Sequence, residues 1–484
     1  MSNILYISSE AFPLVKTGGL GDVAGSLPAA LKKKGQNIRL LIPAYAEVLG
    51  KIRKTKTIAE TNYYNQAVKI IEAKLPGTNV ITWLVDCPTL FNRPGGPYID
   101  KHGHEWHDNA LRFALFCHSA VDLALNRLQL DWQADIVHCN DWQSGLIPAL
   151  LSLHKQRPAT IFTIHNLAYQ GVFEQQAFDD LHLPNVLWNM HGVEFYNQLS
   201  FIKGGIAYAD KITTVSPTYA REIREAKNGY GLNGLLQHRE KDLTGILNGI
   251  DKKHWNPGTD RHLVHNYNRR SLDKKVINKT ALQKALDLPV NETIPVLGMV
   301  SRLVEQKGLD IILQCIPELM KLNLQIVILG TGELHYEMQL SELAQQYPNR
   351  LIVKIGYDEK LAHQIEAASD MYLMPSRFEP CGLNQLYSLS YATLPIATHV
   401  GGLADTVVHA SHSNIKNKTA NGFILEEHSA KALLHAISQA MNLYQQPDAW
   451  KQLQLNAISY DHSWENSAEH YIDLYQQTLE TQTA

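Results

Sequence analysis

The sequence predicts an α/β fold with two doubly wound domains, each containing a parallel β-sheet covered by helices. The chain has 484 residues, more than one hydrophobic core usually serves. Short apolar and β-branched runs alternate with amphipathic helical stretches, as in parallel sheets whose strands are buried on both faces. A polar, charged stretch at about 256–291 divides these runs into two series.

Each series predicts its own strands and helices. The first predicts strands at 3–8, 37–43, 80–86, 135–140, 160–166, 211–216 and 243–248, with helical patterns that include 108–128 and 142–155. The second predicts strands at 294–301, 324–329, 351–355, 371–374 and 394–398, each followed by a helical pattern. A last helix is predicted at 465–478, after a serine typical of helix starts. Taken alone, the pattern allows this helix to complete either domain.

Composition excludes several classes of partner. The 44 basic and 47 acidic residues give a formal net charge of −3, without the basic excess typical of nucleic-acid-binding proteins. Five cysteines lack C-x-x-C spacing, and an odd number cannot all pair in one chain, so we expect a reducing, cytoplasmic setting. The sequence shows no signal-peptide pattern and no apolar run of membrane-spanning length. We expect neither nucleic acid nor membrane as a partner.

A glycine-rich segment directly after the first predicted strand is the strongest functional signal. It reads Lys-Thr-Gly-Gly-Leu-Gly-Asp-Val over residues 16–23. Glycines let a ligand approach the backbone, and the following helix presents free N–H groups, so the segment predicts an anion site with Lys16 at its mouth. The spacing matches neither the dinucleotide-binding nor the P-loop pattern, which argues against a dehydrogenase and an NTPase. The structural alternative is a tight strand-to-helix turn.

Two cations and a carboxylate follow strands of the second series. Arg302 and Lys307 stand five positions apart in the loop after the strand at 294–301, and Glu379 follows the strand at 371–374. Paired cations at a strand end suit an anionic group such as a phosphate, above all one whose negative charge grows during a reaction. The structural alternatives are a solvated surface pair for the cations and a helix-dipole partner for Glu379.

Together with three further motifs, the 16–23 segment resembles the signature of the bacterial and plant glycogen and starch synthases, glycosyltransferase family 5. The further motifs are His-Asn-Leu-Ala-Tyr-Gln-Gly at 165–171, R-x-x-x-x-K at 302–307 and Glu-Pro-Cys-Gly-Leu at 379–383. The resemblance covers nearly the whole chain. It implies the GT-B fold, two Rossmann-like domains with a cleft between them. It also assigns the final helix to the first domain, so the predicted domains are 1–247 with 461–484, on the acceptor side, and 248–460, on the donor side.

The resemblance implies a retaining glucosyltransferase that moves glucose from ADP-glucose to the non-reducing end of an α-1,4-glucan such as glycogen. It assigns the catalytic roles to Glu379, Arg302, Lys307 and His165. Glu379 and His165 would contact the transferred glucose, while Arg302 and Lys307 would contact the donor phosphates. Further donor or substrate contacts are assigned to Lys16, Gly18, Gly19, Asp22, Tyr98, Asp141, Asn166, Asn248, Gly332, Tyr357, Cys381, Gly382, Leu383 and Asn384. Tyr387 stands where many transferases of this fold have a second glutamate, a departure that matches the glycogen and starch synthase branch.

Several of these residues also have purely structural interpretations. Asp141 precedes the predicted helix at 142–155 and would suit its N-cap. His165 would suit a structural hydrogen bond at a strand end. The loops that contain Gly332 and Tyr357 are either nucleotide contacts, with Tyr357 stacked on a purine, or simple turns.

We expect no metal and no cofactor. The loop at 93–107 contains His102, His104 and His107, but their spacing is not a zinc pattern, and no cysteine or paired carboxylate joins them. We interpret this loop as a mobile edge of the substrate site, with Tyr98 near the glucose.

Three other functions remain as alternatives. They are a glucan synthase that uses UDP-glucose, a glucan phosphorylase of similar architecture, and a non-catalytic module that binds nucleotide sugar or glucan. A phosphorylase would need a pyridoxal phosphate lysine and usually a far longer chain. Measuring which donor is used and which product is released would distinguish these three functions from the predicted activity.

Overall fold

The computed structural model describes residues 2–483, which form two compact units. Unit 1 runs to Gly249 and resumes at Trp464, and unit 2 is Ile250–Ser463. The first boundary, after Gly249, lies two residues beyond the predicted boundary at 247. The second, after Ser463, lies three residues beyond the predicted boundary at 460. The predicted end points 1 and 484 lie outside the described residues.

Unit 1 is built on a nine-stranded sheet and a small three-stranded sheet. Its strands are β1 Asn3–Ile7, β2 Asn37–Pro43, β3 Lys56–Tyr63, β4 Gln66–Lys74, β5 Ile81–Asp86, β6 Ile136–Asn140, β7 Ala159–Ile164, β8 Val172–Glu174, β9 Glu194–Phe195, β10 Gln198–Ser200, β11 Lys211–Thr214 and β12 Leu243–Gly245. The large sheet has the order β12-β11-β7-β6-β1-β2-β5-β4-β3, and β8-β10-β9 form the small one. The parallel strands β1, β6 and β7 bury nearly every residue, as expected of parallel strands covered on both faces. Strands β6 and β7 also bury polar side chains, among them His138 and Asn140.

One edge of the large sheet is antiparallel, which corrects the expectation of a purely parallel sheet. Strands β3 and β4 form a hairpin, and β4 pairs antiparallel with β5. The two hairpin residues Tyr64 and Asn65 have φ values of 51° and 58°, as a two-residue turn that follows the strand twist requires. One face of β3 and β4 is largely exposed and carries polar residues. These strands therefore lack the continuous apolar run on which the strand predictions rest, and they were not predicted.

Helices cover the sheet of unit 1. They are α1 Gly19–Lys33, α2 Ala46–Lys51, α3 Pro88–Phe91, α4 Asn109–Ala124, α5 Leu146–Ser152, α6 Gln175–Asp180, α7 Phe201–Tyr208, α8 Pro217–Glu222 and α9 Asn233–His238. Short 3-10 turns occur at Trp142–Ser144, Asn185–Leu187 and Glu240–Asp242.

Unit 2 contains a six-stranded parallel sheet in the order β15-β14-β13-β16-β17-β18. The strands are β13 Val296–Val300, β14 Gln325–Gly330, β15 Leu351–Ile355, β16 Met371–Met374, β17 Leu394–Thr398 and β18 Phe423–Leu425. The helices are α10 Lys275–Ala285, α11 Leu309–Leu319, α12 Leu334–Gln346, α13 Glu359–Ala368, α14 Asn384–Ser390, α15 Gly401–Thr406, α16 His412–Lys416, α17 Ala430–Tyr444 and α18 Pro447–Ser459, with 3-10 turns at Arg269–Lys274 and Glu305–Lys307. Helix α10 lies in the polar stretch for which no element was predicted. Both units have the predicted doubly wound α/β architecture.

The final helix, α19 Trp464–Thr483, belongs to unit 1. Lys33 and Lys34 at the end of α1 form ion pairs with Glu465 and Glu469, and buried Tyr475 lies 2.7 Å from His138 Nδ1 in β6. Separately, no helix among residues 2–483 combines the length and the apolar character needed to cross a membrane.

Candidate functional site

The glycine-rich segment after β1 leads directly into α1. Lys16 Nζ lies 2.8 Å from Asp22 Oδ2, and both side chains are partly exposed. A Cβ on Gly18, the N-cap residue of α1, would meet no atom within 4 Å, so the backbone there is open to a ligand. Gly19 is the first residue of the helix. The segment therefore has the accessible backbone and the cation expected of an anion site.

Glu10, which was not singled out from the sequence, holds this segment in place. Its carboxylate accepts hydrogen bonds from Thr17 N and Thr17 Oγ1, both at 2.5 Å, and from Gly18 N at 3.3 Å. Tyr98 OH donates to the same carboxylate at 2.5 Å and lies 2.7 Å from Ser9 Oγ. Tyr98 is thereby fixed beside the glycine-rich segment. An acidic residue shortly after a buried strand was the available signal for Glu10, which is only 2% exposed.

Asp141 follows β6 and points toward the end of β7. Its φ of 55° is unusual for a non-glycine residue, and its Oδ1 accepts a hydrogen bond from His165 N at 2.7 Å. Asp141 does occupy the N-cap position of the 3-10 turn that follows, but its side chain makes no cap hydrogen bond there. The expected helix at 142–155 is in fact that turn followed by the shorter helix α5.

His165 and Asn166 occupy the turn after β7. His165 Nε2 lies 2.9 Å from Asn140 Oδ1, and Asn140 Nδ2 donates to Ile7 O, so Asn140 Oδ1 accepts and His165 Nε2 carries the proton. Burial lowers the pKa of His165 to about 3, which keeps the ring neutral at physiological pH. Asn166 Oδ1 accepts from Ala168 N at 3.1 Å and shapes the turn. A neutral His165 can orient a sugar hydroxyl, but it cannot supply a positive charge.

Asp141 titrates in an unusual range, which leads to a stability prediction. Burial raises its pKa to about 7, against the lowering effect of the backbone N–H groups of His165 and Asn166. The native state therefore holds this proton more tightly than the unfolded chain, whose pKa is about 4. The resulting stabilisation is complete below pH 4 and is lost as pH rises to about 7.

We expect Asp141→Asn to gain stability relative to the unsubstituted protein as pH rises from 4 to 8, by on the order of a few kcal/mol. Asparagine keeps the acceptor for His165 N and tolerates a positive φ. Urea unfolding of both proteins at several pH values measures the difference, and other titrating groups cancel in it. A difference that does not change with pH would contradict the raised pKa.

Asn248 lies in a loop, because β12 ends at Gly245 rather than at 248 as expected. The residue is 7% exposed, and among the described residues its Oδ1 has no hydrogen-bond partner. A buried amide oxygen of this kind is suited to a ligand hydroxyl. This fits the predicted glucose contact, which stays a prediction.

In unit 2, the structure brings Lys307 and Glu379 together. Lys307 Nζ lies 2.5 Å from Glu379 Oε2, and Ser376 Oγ donates to the same oxygen at 3.0 Å. Only 8% of the Glu379 side chain and 17% of the Lys307 side chain are exposed. The residues are 72 positions apart, and they meet because β13 and β16 are adjacent parallel strands that end at the same sheet edge. Lys307 therefore holds a partly desolvated charge beside the predicted glucose-binding carboxylate.

Arg302 is exposed near this pair. Its Nη2 lies 3.4 Å from Gln306 Oε1, and Gln306 Nε2 donates to Phe378 O at 3.1 Å. Gln306 thus connects the loop after β13 to the loop after β16. Arg302 has the accessibility that a phosphate-binding guanidinium needs.

Gly308, next to Lys307, is the N-cap residue of α11 and has a φ of 75°. A Cβ there would lie 2.1 Å from Pro375 O, so a side chain would force apart the two loops that place Lys307 and Glu379. We expect Gly308→Ala to lower the free energy of unfolding by about 1–3 kcal/mol or more. Gly50→Ala is the matched control, because a Cβ at Gly50 in α2 would meet nothing within 4 Å. Equal urea midpoints for the two variants would refute the prediction.

The loop from Cys381 to Asn384 is tied to the sheet. Gly382 has a φ of 71°, and a Cβ there would lie 2.3 Å from a side-chain oxygen in α14. Asn384 begins α14, and its Nδ2 donates to the last carbonyl of β13 and, at 2.9 Å, to Tyr372 OH. Cys381 is buried, and Leu383 is the N-cap residue of α14. The start of α14 is thus held rigidly beside Glu379.

Gly332 and Tyr357 lie in the loops after β14 and β15. Gly332 N donates to Glu337 Oε1 at 2.8 Å, a contact that shapes the turn. Tyr357 is 79% exposed. The nucleotide roles of Gly332 and Tyr357 stay predictions.

The histidine-containing loop is organised by an aspartate. Asp100 Oδ1 accepts from the backbone N–H groups of His102 and His104 at 2.7 and 3.0 Å. The His104 side chain is 81% exposed. The expectation that this loop binds no metal stays a prediction.

Two family models match the two parts of the chain, and similar proteins match nearly its whole length. Residues 3–238 match the family model of the starch synthase catalytic domain, and residues 283–454 match that of group 1 glycosyl transferases. The chain is 54% identical to the glycogen synthase of Cellvibrio japonicus and 50% identical to that of Thioalkalivibrio sulfidiphilus, in each case over 98% of this chain and 99% of the relative. The solved catalytic domain of starch synthase IV from Arabidopsis thaliana, bound to ADP and acarbose, matches with a TM-score of 0.90 at 32% identity, with 99% of each chain covered.

Proposed function

The chain belongs to the glycogen and starch synthase family, and from this membership we propose that it transfers glucose from ADP-glucose to the non-reducing end of an α-1,4-glucan with retention of the α configuration. The family resemblance and the GT-B fold that it implied are confirmed. The protein is a glucosyltransferase.

The Lys307–Glu379 pair is the observation that carries the catalytic proposal. A cation and a carboxylate lie 2.5 Å apart at one sheet edge, both largely withdrawn from water. In such a setting a fixed charge acts strongly on the charge that develops during a reaction. Lys307 and the accessible Arg302 stabilise the departing diphosphate, and Glu379 contacts the transferred glucose.

During glucosyl transfer the acceptor hydroxyl must lose its proton as its oxygen forms the new glycosidic bond. The bond between the anomeric carbon and the diphosphate oxygen breaks, and the acceptor 4-hydroxyl oxygen forms the new bond from the same face. The acceptor proton passes to an oxygen of the leaving phosphate. The nearest carboxylate to Lys307 is held in an ion pair, which suits a charge stabiliser better than a nucleophile, and no second carboxylate at glycosidase spacing was assigned from the sequence.

Unit 1 contributes hydrogen-bonding groups to this proposal. Neutral His165 and Asn248, whose amide oxygen has no hydrogen-bond partner among the described residues, suit sugar hydroxyls. Tyr98 already donates its hydroxyl hydrogen bond to Glu10, and its contact with the glucose stays a prediction. Lys16 and the open backbone at Gly18 suit an anionic part of the donor. These assignments follow the family resemblance residue by residue.

ADP-glucose is the proposed donor because the starch synthase IV domain, similar over its whole length, was solved with ADP. The proposed acceptor is glycogen or another α-1,4-glucan. The five cysteines are buried and form no disulfide among residues 2–483, which suits a reducing compartment, and we place the reaction in the cytoplasm.

A coupled assay of nucleoside diphosphate release tests the function. We expect release from ADP-glucose that depends on added glycogen, with a much lower kcat/KM for UDP-glucose. A preference for UDP-glucose would overturn the choice of donor. Release of glucose 1-phosphate from glycogen and inorganic phosphate would indicate a phosphorylase, and binding of the donor without either product would indicate a non-catalytic module.

A further inference from the structure

A second group of polar side chains lies in unit 2, away from the residues assigned to glucosyl transfer. His254 follows the first residues of the unit, whereas Glu359 and His363 stand four positions apart on one face of α13. One possible ligand atom from each of the three residues lies within 4.8 Å of the others. No other such group of three occurs among residues 2–483. We propose that His254, Glu359 and His363 bind a divalent transition-metal cation of the Zn²⁺ type.

His363 is the best prepared of the three ligands. Its side chain is fully buried, and its Nδ1 lies 2.7 Å from Asp260 Oδ2. Asp260 is held in turn by Tyr391 OH at 2.6 Å and by His262 N at 2.8 Å. His363 Nε2 is buried and has no hydrogen-bond partner among the described residues. Buried polar atoms are nearly always paired, so this unpaired nitrogen points to a missing ligand.

The contact with Asp260 is what a metal-binding histidine requires. When one ring nitrogen of a neutral histidine donates a hydrogen bond to a carboxylate, the other nitrogen presents its lone pair, and the ring orientation is fixed. Trp255 adds to this by stacking on the His363 ring, with 3.8 Å between centroids and 6° between planes. His363 Nε2 is therefore oriented as a ligand before any ion arrives.

His254 and Glu359 form the accessible side of the site. His254 Nε2 lies 2.7 Å from Glu359 Oε1, and the two side chains are 29% and 38% exposed. Around a tetrahedral zinc ion, neighbouring nitrogen and oxygen ligands are about 3.3 Å apart. Small side-chain rotations would open this contact to that spacing and admit the ion, with a water molecule in the fourth position.

The donor set selects the kind of cation. Two imidazole nitrogens and one carboxylate oxygen suit Zn²⁺ and similar transition metals, whereas Mg²⁺ and Ca²⁺ prefer oxygen ligands. The five cysteines are buried and do not offer a competing surface site. From the sequence we expected no metal. The sequence did not reveal this group, because 105 positions separate His254 from Glu359 and no zinc-type spacing marks the three residues.

The ion would connect the first residues of unit 2 to α13 and, through the Trp255 ring, to α14, the helix that follows Glu379. Trp255 stacks on Tyr387 as well as on His363, with 3.9 Å between centroids and 10° between planes. Tyr387 lies in α14, whose first residue is fixed to the sheet next to Glu379. A bound cation would thus immobilise the stack formed by His363, Trp255 and Tyr387. The inference does not depend on the proposed donor or acceptor.

Titration with Co²⁺ tests the site by a signal that a purely structural histidine would not produce. Full-length, tag-free protein is stripped with a chelator, dialysed and titrated with CoCl₂. We expect visible absorption bands of low-symmetry Co²⁺ that saturate at one ion per chain and disappear when ZnCl₂ is added. We expect His254→Gln to weaken binding at least about 10-fold, since even outer partners of a metal site contribute this much.

His104→Gln is the matched control, because it removes a highly exposed histidine in unit 1. Asp260→Asn tests the positioning role and should weaken Co²⁺ binding by about 10–100-fold. Thermal unfolding adds a second readout: ZnCl₂ should raise the Tm of the unsubstituted protein and of His104→Gln, but not that of His254→Gln. Absence of the bands, or bands that His254→Gln and His104→Gln leave equally strong, would overturn the proposal.

Discussion

Replacing Lys307 by alanine should lower kcat by roughly 10²–10³-fold, the loss typical of removing one preorganised charge stabiliser. The reason lies in the setting of its ammonium group. Lys307 Nζ is held 2.5 Å from Glu379 Oε2, and 17% of the side chain is exposed. A positive charge fixed in this way stabilises the negative charge that grows on the departing diphosphate, and it acts more strongly than a charge in bulk water would. Arg302→Ala should cause a loss of the same order through the second cation.

The measurement is ADP release at saturating glycogen and donor. Lys321→Ala is the matched control, because Lys321 is an exposed lysine of unit 2 that pairs with Glu318 on the surface. Lys307→Ala leaves Glu379 without its cation, so thermal unfolding must first show that the variant is folded. Arg302 is exposed, and its variant should unfold like the unsubstituted protein. A folded Lys307→Ala or Arg302→Ala variant with nearly normal kcat would contradict the leaving-group role.

The buried strands could be predicted from the sequence because burial on both faces demands an unbroken apolar run. The predicted strands at 37–43, 371–374 and 394–398 coincide with β2, β16 and β17. The predicted strand at 351–355 coincides with β15, an edge strand that is only partly buried. Strands β3 and β4 were missed, since alternating exposed polar residues at a sheet edge resemble a surface loop. Strand β18 was missed because its three residues are too few to show a period.

The candidate site was predictable where motifs mark the ends of strands, but the partners of those residues were not. The sequence singles out Lys307 and Glu379 separately, whereas their 2.5 Å contact depends on the strand order of the folded sheet. Glu10 was missed because its role lies in hydrogen bonds to the 16–23 segment, and no pattern records them. The structural alternative for Asp141, an N-cap, holds for its position but not for its side chain, because the carboxylate accepts from His165 N instead of from the following turn.

Glu379→Gln should lower kcat at least about 10²-fold while leaving the affinity for ADP unchanged or higher. Glutamine has nearly the same volume and can still accept from Ser376 Oγ, so the variant removes mainly the charge. The carboxylate is assigned to the glucose, and its loss therefore affects the transfer step. ADP lacks that glucose. Because the substitution frees Lys307 from its ion pair and removes a negative charge near the diphosphate, ADP should bind no more weakly.

Isothermal titration with ADP, beside kcat from glycogen-dependent ADP release, separates the two roles of this pair. Glu318→Gln is the control, because it removes the charge of a surface glutamate on α11 that pairs with Lys321. We expect Lys307→Ala to weaken ADP binding and Glu379→Gln to spare it, although the two side chains touch in the free protein. A large loss of ADP affinity in a folded Glu379→Gln variant would instead place Glu379 on the nucleotide side, since only a group that supports diphosphate binding could produce it.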